Sequence, residues 1–89
     1  MRVIKSALAG TVESSDLLVR VEPGEGRLEL TVESLVLERF GRQIRASAEE
    51  VLAALGVEDA KVFIDDRGAL DCVIRARVET ALRRAAGEV

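Results

Sequence analysis

Leu70-Asp71-Cys72-Val73-Ile74-Arg75-Ala76-Arg77-Val78-Glu79-Thr80-Ala81-Leu82-Arg83-Arg84-Ala85 supports two periodicities at once. Leu70, Cys72, Ile74, Ala76 and Val78 alternate as one face of a strand would. Leu70, Ile74, Val78, Ala81, Leu82 and Ala85 recur at the three- and four-residue steps of a helical stripe. The ends favour the helix. Asp71 stands where a helix dipole stabilises an anion, and Arg83 and Arg84 stand where it stabilises cations. Ala, Arg and Leu, all good helix formers, make up much of the rest. The segment is therefore read as a helix, with a strand followed by a short helix as the fallback.

Towards the N-terminus, Ala60 to Ile64 reads as a strand and Asp65-Asp66-Arg67-Gly68 as a turn. Two adjacent carboxylates in a turn point in different directions, so turn chemistry is preferred there over a magnesium site. Leu37, Phe40, Ile44, Ala48, Val51, Leu52 and Leu55 form one stripe of an amphipathic helix, with Ser34 as N-cap and Gly56 closing it. Gly41 inside that helix costs about 1 kcal/mol relative to Ala, which suggests close packing or a kink. Leu28, Leu30 and Val32 alternate with polar residues as a strand, and Pro23-Gly24-Glu25-Gly26 breaks the chain before them. Leu17, Val19 and Val21 mark another strand; Leu8, Gly10 and Val12, alternating with Ala7, Ala9 and Thr11, mark the first. Ser14-Ser15-Asp16 lies between the last two as a hairpin tip whose serines are exposed.

The resulting expectation is a single α+β domain over residues 1–89, a small two-layer sandwich of order β-β-β-α-β-α. About four mostly antiparallel strands carry two helices on one face. The core is assigned to Leu17, Val19, Val21, Leu28, Leu30, Val32, Phe40, Ile44, Leu52, Val62, Ile64, Ile74 and Leu82. With no Trp or Tyr and Phe40 and Phe63 as the aromatics, that core is aliphatic.

Composition narrows the function. The net charge of −3 and the absence of base-stacking aromatics argue against nucleic acid as a partner. No apolar run reaches the length of a membrane span, and the start of the chain lacks the apolar core of a signal peptide. One cysteine forms no internal disulfide, so a reducing cytoplasm is expected. Without His, and with Cys72 alone, no transition-metal site is expected. Cys72 is read as packed in or beside the core, since free cysteines are usually buried. Arg75, Arg77, Arg83 and Arg84 are read as a solvated helix face in preference to a docking patch.

Two segments carry a resemblance. Ala9-Gly10-Thr11-Val12-Glu13-Ser14 and Asp65-Asp66-Arg67-Gly68-Ala69-Leu70-Asp71-Cys72, followed by Ile74-Arg75-Ala76-Arg77, are similar to the acyl carrier protein (gamma subunit) family of citrate lyase. Val19-Arg20-Val21-Glu22-Pro23 and Phe40-Gly41 with Ile44-Arg45 extend the likeness over nearly the whole chain. The resemblance implies a carrier, not an enzyme. It implies 2′-(5″-phosphoribosyl)-3′-dephospho-CoA, attached covalently through a phosphodiester by a dedicated prosthetic-group transferase. The register of Gly10-Thr-Val-Glu-Ser selects Ser14 as the attachment residue, with Ser15 as the fallback. The thiol of that group would bear acetyl and citryl thioesters between an alpha subunit (acyl transferase) and a beta subunit (citryl lyase).

Three other readings compete. Both serines could simply build a turn. The carrier subunit of malonate decarboxylase is a distant likeness, though its Asn-Gly-Ala-Thr-Pro-like stretch is replaced here by Arg67-Gly68-Ala69-Leu70-Asp71. An unmodified protein–protein adaptor would expose the hairpin as its contact. Carriers that bear phosphopantetheine on an Asp-Ser-Leu motif are disfavoured, because the order here is Ser15-Asp16-Leu17.

Overall fold

The computed structural model describes residues 1–88. Its elements are β1 (Ala7–Gly10), β2 (Leu17–Glu22), β3 (Leu28–Ser34), α1 (Leu37–Ala54), β4 (Ala60–Asp66) and α2 (Asp71–Ala85). The expected β-β-β-α-β-α order is therefore the observed one, and the ambiguous segment is helix throughout. Burial decides it: Ile74, Val78, Ala81, Leu82 and Ala85 are all buried, and a helix alone brings these five to one face.

The sheet order is β1-β2-β4-β3. β1 pairs antiparallel with β2, and β2 antiparallel with β4, with Leu17 opposite Asp66 and Val21 opposite Val62. β3 pairs parallel with β4, with Ser34 opposite Asp66, because α1 carries the chain back over the sheet between them. One sheet face is apolar: Leu17, Val19 and Val21 of β2 and Ala60, Val62 and Ile64 of β4 are buried under the two helices. The alternate residues Arg20, Lys61 and Phe63 lie on the other face, where Arg20 sits over the Phe63 ring at 5.1 Å.

Several assignments change. β1 ends at Gly10, short of the expected Val12; its buried residue is Ala9, while Leu8 on the strand and Val12 beyond it are about half exposed. Leu28, at the start of edge strand β3, is 37% exposed, and Phe40 is 42% exposed because the first turns of α1 overhang a groove and contact the core only from Ile44 onward. Cys72 is exposed, not packed against the core. It precedes Ile74 by two positions, roughly 200° around the helix, so burying one face of α2 turns Cys72 outward. Val57, between α1 and β4, and Ala60, the first residue of β4, are core residues that the expected core did not include.

Ser34 does not cap α1. The N-cap position is Val36, without a side-chain bond, and Ser34 closes β3 instead. Its hydroxyl donates to Asp66 Oδ2 (2.7 Å) and accepts from the Val36 N–H (3.1 Å). Gly56 follows the C-terminal end of α1 as expected. A Cβ on Gly41 would meet nothing closer than its own helix neighbour Leu37, so close packing against another element does not explain that glycine.

Candidate functional site

Because β2 runs antiparallel to β4 and β3 runs parallel to it, one end of the sheet collects four features. These are the loop 11–16, the end of β4, the end of β3, and the first turns of both helices. The two sequence segments that carried the resemblance meet here.

The loop between β1 and β2 is longer than the expected three-residue tip, running from Thr11 to Asp16. Ser14 and Ser15 are both exposed, as expected of turn serines. Their surroundings are not loose. The Thr11 N–H donates to the Leu17 carbonyl (3.1 Å), and the Asp16 N–H donates to the Glu13 carbonyl (3.2 Å). The Thr11 hydroxyl accepts from the Glu13 N–H (3.2 Å) and donates to Asp16 Oδ2 (2.8 Å). The Ser15 N–H donates to the Arg67 carbonyl (2.8 Å), and the Arg67 N–H returns a bond to the Asp16 carbonyl (2.9 Å). The loop is thereby stitched to the turn after β4.

Asp16 is the hub. Its carboxylate accepts from Arg77 Nε (3.1 Å) and Nη2 (2.9 Å), and from the Leu17 N–H (2.7 Å). A bidentate guanidinium–carboxylate pair fixes orientation as well as distance. These bonds, Arg77's foremost, pull the Asp16 carboxyl from its ordinary 3.8 down to about 2. Arg77 reaches Asp16 across Gly10. A Cβ at Gly10 would lie 1.9 Å from the Leu17 carbonyl oxygen and 3.3 Å from Arg77 Cδ, and the residue has φ +91°. The glycine of the Ala-Gly-Thr segment is what lets strand, loop and arginine close together.

Within this frame the loop's hydrogen bonds run through Thr11, Glu13, Ser15 and Asp16, and Ser14 stands outward between pinned neighbours. Ser15 has φ +65°, the left-handed region that residues with a β-carbon rarely occupy. Strain of this kind persists only where surrounding bonds enforce it.

The four arginines of α2 are not simply a solvated face. Arg77 holds Asp16, Arg84 donates to the Leu8 carbonyl (2.8 Å), Arg75 pairs with Asp71 and Glu50, and Arg83 pairs with Glu79 and Glu88. Sequence reasoning noted Arg77 in the Ile-Arg-Ala-Arg run but had no means of pairing it with a residue sixty-one positions earlier. Asp65 and Asp66 are the last residues of β4, which runs two residues past the expected Ile64, and their side chains organise the turn that follows. Asp65 pairs with Arg67 (3.0 Å), while Asp66 is buried and accepts from Ser34, the Gly68 N–H (3.1 Å) and the Ala69 N–H (3.0 Å). Among the described residues no cluster of three metal-ligating side chains occurs.

Next to this loop lies a groove of about 420 Å³ that sequence reasoning missed. Val36, Phe40 and Ile44 of the α1 side, and Ala69, Leu70 and Ile74 of the α2 side, supply its apolar walls.

A family model described as the malonate decarboxylase delta subunit (MdcD) matches residues 4–85. The chain is 58% identical to the citrate lyase acyl carrier protein of Escherichia fergusonii, covering 97% of this chain and 90% of that one. It is 54% identical to the protein of that name from Pectobacterium carotovorum (96% and 88% covered) and to that from Treponema denticola (96% and 97% covered). Its fold is similar to a chain in the crystal structure of a Pseudomonas malonate decarboxylase hetero-tetramer in complex with malonate. There the TM-score is 0.75 at 25% identity, covering 91% of this chain and 84% of that one. On these likenesses, the chain belongs to the citrate lyase acyl carrier protein family.

Proposed function

We propose that Ser14 is the residue through which this acyl carrier protein holds its prosthetic group, 2′-(5″-phosphoribosyl)-3′-dephospho-CoA. When bound, the group supplies a terminal thiol that carries acetyl and citryl as thioesters. The observation that carries the reading is an exposed primary hydroxyl on a loop whose flanks are clamped by Asp16–Arg77 and by the Ser15–Arg67 backbone bond.

An exposed serine lets a transferase bring a phosphorus centre in line with Oγ, and a pre-ordered loop lowers the entropy lost on that approach. Neither histidine nor Asp16 serves as a base for the step. The chain has no His, and the Asp16 carboxylate, held at about 2 by Arg77, Leu17 and Thr11, is a poor proton acceptor. Activation of the hydroxyl therefore falls to the transferase. A carrier, not a catalyst, is the role these residues support, and a tethered group works at roughly millimolar effective concentration near partner sites. The partners proposed are the alpha (acyl transferase) and beta (citryl lyase) subunits and the prosthetic-group transferase, in the cytoplasm. The carrier of malonate decarboxylase is a weaker second reading. Its fold likeness comes with 25% identity, against 50% or more to the citrate lyase carriers.

The test is intact mass and peptide mapping after co-expression with the citrate-lyase prosthetic-group enzymes. A phosphoribosyl-dephospho-CoA adduct that persists in Ser15→Ala and disappears in Ser14→Ala supports the assignment. An unmodified wild type, with the same enzymes active on an established carrier, would sink it in favour of the adaptor.

A further inference from the structure

We infer that the groove between the first turns of α1 and α2 is a docking site for the uncharged pantetheine end of the covalently attached arm, and that it accepts the acetyl form but not the citryl form. This rests on the attachment proposed above and concerns residues that reading does not use.

Three observations carry it. The groove wall begins one residue after the anchor of the attachment loop: Arg67, bonded through its backbone to Ser15 and Asp16, is followed directly by Gly68, Ala69 and Leu70 of that wall. Its lining is apolar and unsatisfied by the fold: Leu70 is 70% exposed, Phe40 42% and Val36 36%. Exposed apolar side chains gathered at one place mark a surface meant to be covered. Its polar members, Gln43, Asp66 and Asp71, include two carboxylates and neither Lys nor Arg. Asp66 takes all its bonds from neutral donors, while Asp71 is tied to Ser47 and Arg75. Arg39 packs over the Phe40 ring at 5.3 Å, outside the lining.

Such a lining selects by charge. A pantetheine chain ending in an acetyl thioester is neutral and enters without stripping water from an ion. A citryl thioester adds two free carboxylates, whose desolvation beside Asp66 and Asp71 has nothing to offset it. Affinity need not be high. With a tethered end at roughly millimolar effective concentration, an intrinsic Kd near 1 mM gives about half occupancy. The groove would shelter the resting acetyl thioester and release the arm once citryl replaces acetyl.

The experiment compares amide and methyl NMR spectra of the apo, free-thiol, acetyl and citryl forms, each confirmed by intact mass, beside Leu70→Glu and Phe40→Glu. Both substituted side chains are exposed, so the variants should fold, which their spectra check. The expected result is a set of shifts at Ile44, Ala69, Leu70 and Ile74 in the acetyl form, at least twofold smaller in the citryl form and lost in both variants. Shifts confined to residues 11–16 and Arg67, or equal shifts for acetyl and citryl, overturn the inference. Shifts that trace to the adenine ring of the arm overturn it as well. Because the free-thiol, acetyl and citryl samples all carry the mass adduct, each of these failures leaves the Ser14 assignment untouched; a missing adduct is the separate failure of that assignment.

Discussion

A methyl group at Gly10 would lie 1.9 Å from the Leu17 carbonyl oxygen, far inside any tolerable contact, and against backbone that cannot rotate away. The φ of +91° adds a left-handed strain of about 1–2 kcal/mol for a residue with a β-carbon. Relief of the overlap means prising the end of β1 from Leu17. That breaks the Thr11 N–H to Leu17 bond, worth roughly 0.5–1.5 kcal/mol net, and disturbs the path of Arg77 to Asp16. Against this, Ala narrows the unfolded ensemble and returns about 0.4–1 kcal/mol. Gly10→Ala should therefore cost about 1–3 kcal/mol, a sizeable share of the roughly 4–13 kcal/mol expected for a domain of this size. At about 4–8 °C per kcal/mol, the melting temperature should fall by roughly 5–20 °C. Gly26→Ala is the matched control: its φ is +92°, but its added Cβ meets nothing within 4 Å, so it bears strain without collision. Its cost should be about 1 kcal/mol. Thermal unfolding of both variants by far-ultraviolet circular dichroism at neutral pH measures the difference. Melting temperatures within 3 °C or so of each other would refute the collision argument, and with it the account of why a glycine precedes the serine loop.

Acid stability tests the clamp. Asp16 has a folded pKa near 2 against an ordinary 3.8, so its contribution is fully present above the ordinary value and is lost as pH falls through the folded one. Arg77→Met removes the largest cause, so the variant's urea midpoint should fall less steeply between about pH 4 and 2 than the wild type's. Asp71, also lowered, by Ser47 and Arg75, leaves some slope in both; parallel curves would discard the Asp16 account. Cys72 is exposed, so native protein should react with a thiol reagent as fast as unfolded protein to within a few-fold. Slow, unfolding-limited labelling would restore the buried assignment. Cys72→Ser should leave the mass adduct at Ser14 intact, because the working thiol belongs to the arm.

The helical stripes were legible because period and burial coincide: the residues spaced three and four apart in 74–85 are those that the sheet covers. Phe40 shows where that logic stops. It is in phase with Ile44 and equally apolar, yet it is 42% exposed and lines a groove. Periodicity reports which way a side chain points, not whether anything is there to meet it. Cys72 failed for a related reason: a general preference for burial was applied where helical phase pointed outward.

Local chemistry alone determined the element order, the turn at Ser14-Ser15-Asp16 and the exposure of its serines, because these depend on residues close together in the chain. Tertiary structure decided the rest. Placing β4 between β2 and β3 brings Arg67 to Ser15, and laying α2 on the sheet brings Arg77 to Asp16, across sixty-one positions. Those pairings turn a flexible hairpin tip into a fixed platform. They arise from the apolar faces that two helices and one sheet must bury together, which no short stretch of the chain encodes by itself.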